Sequence, residues 1–217
     1  MPEESIGVLI VDDHRMFAQS LARLLADDDH LQVLATATTA AEAYAAAIDA
    51  RPAVALVDYQ MPDSDGVEIT RRLKAIDPGV SVIMLTGVND DRLLLEAIEA
   101  GCSGFLTKER AASEVAAAIG AVADGEALIS PEMLARLLPQ LTHGAAPAGT
   151  GLTERERQLL THVAAGLTNR AIGETLHLSV NTVRNYMQSI LSKLGAHSKL
   201  EAVSLAVKAG IIDYPRP

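Results

Sequence analysis

The sequence predicts an α/β fold, a doubly wound five-stranded parallel sheet, followed by a small all-α domain of four helices. Three observations predict it. Between residues 6 and 125, short β-branched apolar runs alternate five times with longer Ala- and Leu-rich segments; the runs are continuously apolar, as in strands covered on both faces. From 152 to 213 no such run recurs, and helical patterning alone is left. The charge changes with the pattern: residues 1 to 140 carry 10 Lys+Arg against 23 Asp+Glu, and residues 141 to 217 carry 8 against 5, net −13 and +3. An acidic half joined to a mildly basic half suggests different partners, and a polyanion suits the basic one.

The strands are expected at 6–11, 31–35, 54–57, 80–85 and 104–106, and the helices between and after them near 15–27, 40–50, 66–75, 90–100 and 111–124. Five βα units make one domain over 6–125, with ligands at the C-terminal ends of its strands. Residues 126–150 hold an extra helix, started by Ser130-Pro131 and stopped near Pro139, and then a linker, THGAAPAGTG, that is small, uncharged and broken by Gly and Pro. The second domain, 151–213, has helices near 154–165, 169–176, 180–194 and 198–209. Thr153 with Glu156 forms a capping box, Ser179 and Ser198 cap the last two helices, and Gly210 closes the fourth.

With 217 residues, 49% of them apolar, the chain can bury real cores. The only cysteine, Cys102, excludes an internal disulfide framework and a Cys-based zinc site. The N-terminal apolar run is too short for a signal or a membrane span. A soluble, cytoplasmic protein without a membrane segment is the expectation.

Four of the five strands end in a polar or reactive residue. The first delivers Asp12 and Asp13, the third Asp58, the fourth Thr86 and the fifth Lys108. Carboxylates crowded at one edge repel one another unless a cation shares the site. Oxygen-only donors favour Mg²⁺, which bridges carboxylate to phosphate. A nearby Lys and a Thr hydroxyl can hold phosphoryl oxygens, so the constellation describes phosphoryl transfer with an Asp nucleophile. By contrast, His14 is read as capping the first helix or facing solvent, Asp63 and Asp65 as turn residues around Pro62 and Gly66, and Cys102 as a small buried hydrophobe.

The motifs LIVDDH, ALVDYQMPDSDG, VIMLTG and GFLTKE resemble the flavodoxin-like receiver domains of two-component response regulators. The resemblance implies that Asp58 is the phosphoacceptor, and that Asp13, Asp58 and the carbonyl of Gln60 ligate Mg²⁺, with Asp12 acting largely through metal-bound water. It also implies that Thr86 and Lys108 contact the phosphoryl oxygens and that Phe105 is the aromatic that turns inward on activation. A sensor histidine kinase would be the phosphoryl donor.

In the second domain, residues 168–195 read as two helices joined by a tight turn around His177 to Ser179, the pattern of a helix-turn-helix. Asn181, Thr182, Arg184, Asn185 and Gln188 lie on the polar face of the second helix, all able to meet phosphates or bases of double-stranded DNA. LTERE, GLTNRAIGETLHLSVNTVR and KLGAHSKLEAV resemble the LuxR-type DNA-binding domain of the NarL/FixJ response regulators. That resemblance implies that Thr182 and Val183 sit near the groove, that Arg184, Lys193 and Asn169 meet phosphates, and that the last helix supplies a homodimer contact. Tyr186 stands where the family most often has His, and a Tyr hydroxyl can still hydrogen-bond a phosphate.

The leading expectation is a non-enzymatic, phosphorylation-controlled transcription regulator. An Asp-nucleophile phosphatase is the enzyme-class rival, but such enzymes usually carry a second acid two residues on, where this chain has Gln60. A phosphorylation-independent regulator, whose receiver serves as a dimerisation or ligand module, is the other.

Overall fold

The computed structural model describes residues 5–87, 90–108, 112–141 and 151–213. Most of the linker expected at 142–151 lies outside the described residues. The first part of the chain alternates strand and helix: β1 (Ile6–Val11), α1 (Arg15–Leu25), β2 (Leu31–Ala37), α2 (Ala40–Ala50), β3 (Val54–Asp58), α3 (Gly66–Ile76), β4 (Ser81–Leu85), α4 (Asp91–Glu99), β5 (Gly104–Leu106) and α5 (Ala112–Ala123). The five strands are parallel and ordered β2-β1-β3-β4-β5. Every residue of β3 is buried, whereas β2, at the sheet edge, is only partly covered. This is why the central strands read as unbroken apolar runs.

Successive residues of a strand face opposite sides, so β1 feeds two cores. Val8 and Ile10 pack with Leu21, Leu25 and Ile119 under α1 and α5. Leu9 and Val11 pack with Ala43, Ile69 and Leu73 under α2 and α3. The other edge of the sheet is protected locally: Leu128 bridges to Gly104, and the Phe105 N–H donates to the Leu128 carbonyl at 2.9 Å. A Cβ at Gly104 would lie 2.3 Å from that of Leu128, so the close approach requires glycine. Covering β5 in this way removes an exposed pairing edge.

The extra helix, α6 (Pro131–Leu137), begins where Ser130 accepts from the Met133 N–H and runs into a 3₁₀ turn at Leu138–Gln140. Four helices follow: α7 (Glu154–Ala164), α8 (Asn169–Leu176), α9 (Val180–Leu194) and α10 (Lys199–Lys208). The Thr153/Glu156 capping box forms in full, and Ser179 and Ser198 cap as their positions suggest. The core of these helices extends beyond them. It takes in Leu134, Leu137 and Leu138 of α6 and its turn, and Leu94 and Ile98 of α4. Helix α4 therefore packs on both domains, with Ala97 against Val67 and Met84 of the sheet domain and Leu94 and Ile98 in the helical core.

Candidate functional site

The strand order reverses between β1 and β3, the crevice where ligands of open α/β sheets bind. Asp12 and Asp13 follow β1, Asp58 ends β3, Thr86 follows β4, and Lys108 lies just beyond β5. Asp12, Asp58 and Thr86 are buried, while Asp13 is part-exposed. The Lys108 ammonium lies 2.7 Å from Asp12 Oδ2 and 2.8 Å from Asp58 Oδ2, and 5.1 Å from the centre of the Phe17 ring. Asp58 Oδ2 accepts a hydrogen bond from it. Asp12 Oδ2 is paired with the same ammonium.

Burial raises the pKa of Asp58, and Asp12 adds to the rise, against the opposing pull of Lys108. For Lys108, burial acts to lower the pKa, but its contacts with Asp12 and Asp58 outweigh it and the net shift is upward. The pocket thus holds a permanent cation beside a carboxylate whose charge is poorly solvated.

The loop after Asp58 folds back on its own strand. The Gly66 N–H donates to the Tyr59 carbonyl at 2.9 Å, and a Cβ at Gly66 would lie 2.5 Å from the Asp58 carbonyl oxygen. Gln60 bridges to Asp65. Asp65 caps α3 through the Glu68 N–H, and Asp63 accepts from the Ala40 N–H at the start of α2. Both acids are structural, and Asp63 ties the loop to a second helix. His14 occupies the N-cap position of α1 without capping it through its side chain. Its ring faces the acids, with Nδ1 2.9 Å from Asp13 Oδ1.

Helices α8 and α9 meet through a turn in which His177 takes the left-handed conformation at φ 55°. Asn181 and Gln188 are exposed on α9. The Thr182 hydroxyl lies 2.8 Å from that of Ser179 at the cap. Val183, expected near the groove, is completely buried in the core, where its methyl group neighbours Gly173. Tyr186 is part-buried against the same core. Lys193, expected to meet phosphates, turns inward: its ammonium lies 2.7 Å from Glu156 Oε2 and 2.8 Å from Oε1. Burial would raise the Glu156 pKa, but Lys193, Ser189 and Thr153 together hold it down at about 2.

The same helices face the sheet domain. Arg184 Nη2 lies 2.9 Å from Asp124 Oδ1, at the end of α5. Asn169 is 1% exposed, its N–H donating to Glu126 at 2.8 Å and its Oδ1 accepting from Lys199 at 2.7 Å. The Lys199 ammonium reaches Glu126 at 2.9 Å. Lys74 of α3, whose pKa burial lowers to about 8, donates to the His197 carbonyl at 2.9 Å. Lys208 of α10 pairs with Glu99 of α4 at 2.5 Å. Between these contacts lies a cavity of about 570 Å³, lined by Arg184, Met187 and Gln188 of α9 on one side and by Asp124, Gly125 and Glu126 on the other.

Two family models match this chain. That of the response regulator receiver domain covers residues 8–120, and that of the bacterial regulatory proteins of the luxR family covers residues 150–206. The chain belongs to the response regulators that join a receiver to a LuxR-type DNA-binding domain. It is 36% identical over 205 residues to the DNA-binding transcriptional activator DevR/DosR of Mycobacterium tuberculosis, covering 94% of each chain. It is 34% identical over 216 residues to the transcriptional regulatory protein LnrK of Bacillus subtilis, covering 95% of this chain and 98% of that one. Among solved structures, the response regulator ChrA of a heme-sensing two-component system is 30% identical and covers 96% of this chain and 99% of that one, with a TM-score of 0.50. The receiver domain of the response regulator NarL from Mycobacterium tuberculosis is 27% identical, covering 57% and 99%, with a TM-score of 0.54.

The regulator is thus a transcription regulator with the fold the sequence predicts, and these relatives are transcription regulators rather than enzymes. Among the described residues no helix is long and apolar enough to cross a membrane. Four contributors to the site escaped sequence reasoning: Phe17, which lies under the Lys108 ammonium, and Asp124, Glu126 and Lys199, which join the domains. The interdomain pairs are 43 to 123 residues apart, and no local pattern marks such partners.

Proposed function

We propose that the regulator is switched by phosphoryl transfer from a sensor histidine kinase to Asp58, and that the switch frees α9 and α10 to bind DNA as a homodimer. One observation carries the first half: a desolvated carboxylate at the strand-order switch point shares an ammonium with a second buried acid. An Asp58 carboxylate oxygen would attack the phosphorus of a phosphohistidine. The O–P bond forms, the N–P bond breaks, and the electron pair returns to the imidazole of the kinase. Lys108 is placed to neutralise the phosphoryl oxygens, and Thr86 to hydrogen-bond one of them.

The pocket's donors fit a hard divalent cation. They are carboxylate oxygens gathered within 4.8 Å of one another, and Asp13 Oδ1 is buried without a hydrogen bond. Asp13, Asp58 and the Gln60 carbonyl would hold Mg²⁺, with Asp12 joined through water. Bound there, the ion would supply charge neutralisation to the transferring phosphoryl group.

The second half rests on the contact between domains. Arg184 and Asn169, which the family resemblance assigns to DNA phosphates, are held instead by Asp124 and Glu126. Carboxylates just beyond α5 therefore stand where phosphates would, and α10 is engaged by Lys74 at the turn leading into it and by Glu99 at its far end. Phe105 packs against both the α4 core and the Val67–Met84 core, so a rearrangement at Thr86 and Phe105 is transmitted to α4. In this reading phosphorylation opens the closed arrangement. In Phos-tag gels with acetyl phosphate and Mg²⁺, wild type shifts and Asp58→Asn does not. An unshifted wild type, or an equal shift of both, refutes the role given to Asp58.

A further inference from the structure

We propose that the imidazole of His14 is a side-chain ligand for cations in the receiver pocket, turning an oxygen site into a mixed nitrogen–oxygen site with added affinity for ions of the Mn²⁺-to-Zn²⁺ series. The proposal rests on the reading of the pocket as a divalent-cation site and adds to it a ligand and a metal class.

Ligand atoms of Asp12, Asp13, His14 and Asp58 all lie within 4.8 Å of one another. His14 Nδ1 is 2.9 Å from Asp13 Oδ1 and 3.3 Å from Asp12 Oδ1. Adjacent ligands of an octahedral ion with bonds of about 2.1 Å are separated by about 3.0 Å, so the ring nitrogen already sits at a ligand-to-ligand spacing from both acids. These approaches are not hydrogen bonds to the ring. Asp13 Oδ1 is buried and has no hydrogen-bond partner, and Asp12 Oδ1 accepts from the His14 backbone N–H at 2.9 Å. The Asp12 side chain is itself fully buried, and its Oδ2 is paired with Lys108 at 2.7 Å, so Asp13 Oδ1 is the unpartnered oxygen beside the ring.

The backbone beneath the ring is fixed. The bond from His14 N–H to Asp12 and that from Arg15 N–H to the Asp13 carbonyl at 3.1 Å fix residues 12–15 as a turn at the end of β1. The ring makes no capping bond to α1, the role its position would otherwise give it. Its side chain is 71% exposed, so the nitrogen can reach an ion and leave it at little cost in packing. Imidazole adds little to a site for Mg²⁺, which prefers oxygen, and much to one for Co²⁺, Ni²⁺ or Zn²⁺; Mn²⁺ accepts both.

The test is titration calorimetry of the full chain with Mg²⁺, Mn²⁺ and Co²⁺, with wild type, His14→Ala and Asp13→Asn, together with pulsed electron paramagnetic resonance of the Mn²⁺-loaded chain. The expected results are a coupling to a directly bound ¹⁴N nucleus in wild type that is lost in His14→Ala, and a Co²⁺ affinity at least tenfold weaker in His14→Ala with Mg²⁺ affinity changed less than twofold. The same stoichiometric Co²⁺ site should disappear in Asp13→Asn, which separates it from other surface histidines. Absence of the ¹⁴N coupling, or an equal change in Mg²⁺ and Co²⁺ affinity on His14→Ala, overturns the proposal while leaving the cation site standing. Tighter binding of every ion to His14→Ala would also overturn it, since the ring would then compete with the cation for the carboxylates. Failure of wild type to bind Mg²⁺ at all would instead remove the cation-site reading on which the proposal rests.

Discussion

Asp58 is 4% exposed and sits between an ammonium and a second buried carboxylate. Its raised pKa states that the folded pocket favours the neutral acid, despite Lys108. A carboxyl group whose folded pKa is raised contributes stability in its protonated form. That contribution is complete below the ordinary value of 3.8 and is lost as pH rises through the raised folded value. At neutral pH the ionised Asp58 therefore costs the metal-free fold stability, and a neutral amide of the same shape relieves the cost. Without Mg²⁺, Asp58→Asn is expected to unfold a few degrees above wild type at pH 7.5, with the difference shrinking toward pH 4. Excess Mg²⁺ should reverse the order, because the ion stabilises only a pocket with its full set of carboxylates. Thermal denaturation across pH, with and without Mg²⁺, measures both. A lower melting temperature for the metal-free Asn variant at pH 7.5 would show that Lys108 pairing outweighs desolvation.

At the scale of elements, strand β3 and the loop after it form one positioning device. The strand is buried along its whole length, and the loop returns so tightly that Gly66 has no room for a side chain against Asp58 and Tyr59. Backbone lies on the other side of the contact, so neither partner can yield by a rotamer change. Gly66→Ala is expected to destabilise the receiver by about 1–3 kcal/mol, the usual cost of overpacking. It should also slow phosphorylation by acetyl phosphate more than it weakens Mg²⁺ binding, since the displaced atoms include the Asp58 carbonyl. Denaturant unfolding beside a phosphorylation time course tests both. Much of this scale was legible beforehand. The continuous apolar runs marked the strands because burial on both faces leaves no alternation to read, and Ser130, Thr153, Ser179 and Ser198 marked helix starts because a cap is a local interaction. What was not legible depends on tertiary partners. Nothing near Lys193 reveals that Glu156 turns it inward, and nothing near Val183 tells that the residue faces Gly173 rather than a groove.

At the scale of the whole molecule, the contacts between the domains differ in burial, and under the proposed opening that difference ranks them as candidate latches. Arg184 and Asp124 pair with side chains 41% and 68% exposed, a surface interaction in which solvent screening leaves about 0–1 kcal/mol. Lys199 and Glu126 are only 7% and 21% exposed, and the Lys199 pKa is lowered by burial against the pull of Glu126. Glu126 also accepts from the Asn169 N–H, and an amide at that position can still accept it. Glu126→Gln therefore removes the charge and leaves one acceptor oxygen for two donors, so the buried ammonium loses its carboxylate in the closed form, at a cost of roughly 1.5–3 kcal/mol. Opening restores water to Lys199, so the open form escapes that cost. When only a small fraction of molecules is open, apparent DNA affinity scales with that fraction. Unphosphorylated Glu126→Gln is accordingly expected to bind a selected operator duplex about tenfold or more tightly than wild type, and Asp124→Asn less than about threefold, by fluorescence anisotropy at fixed salt. Small-angle scattering should show the Gln variant expanded before any DNA is added. If both variants bind as wild type does and stay equally compact, these carboxylates do not hold the DNA-binding helices. If Asp124→Asn alone enhances binding, the exposed pair is the latch, and the ranking by burial is wrong.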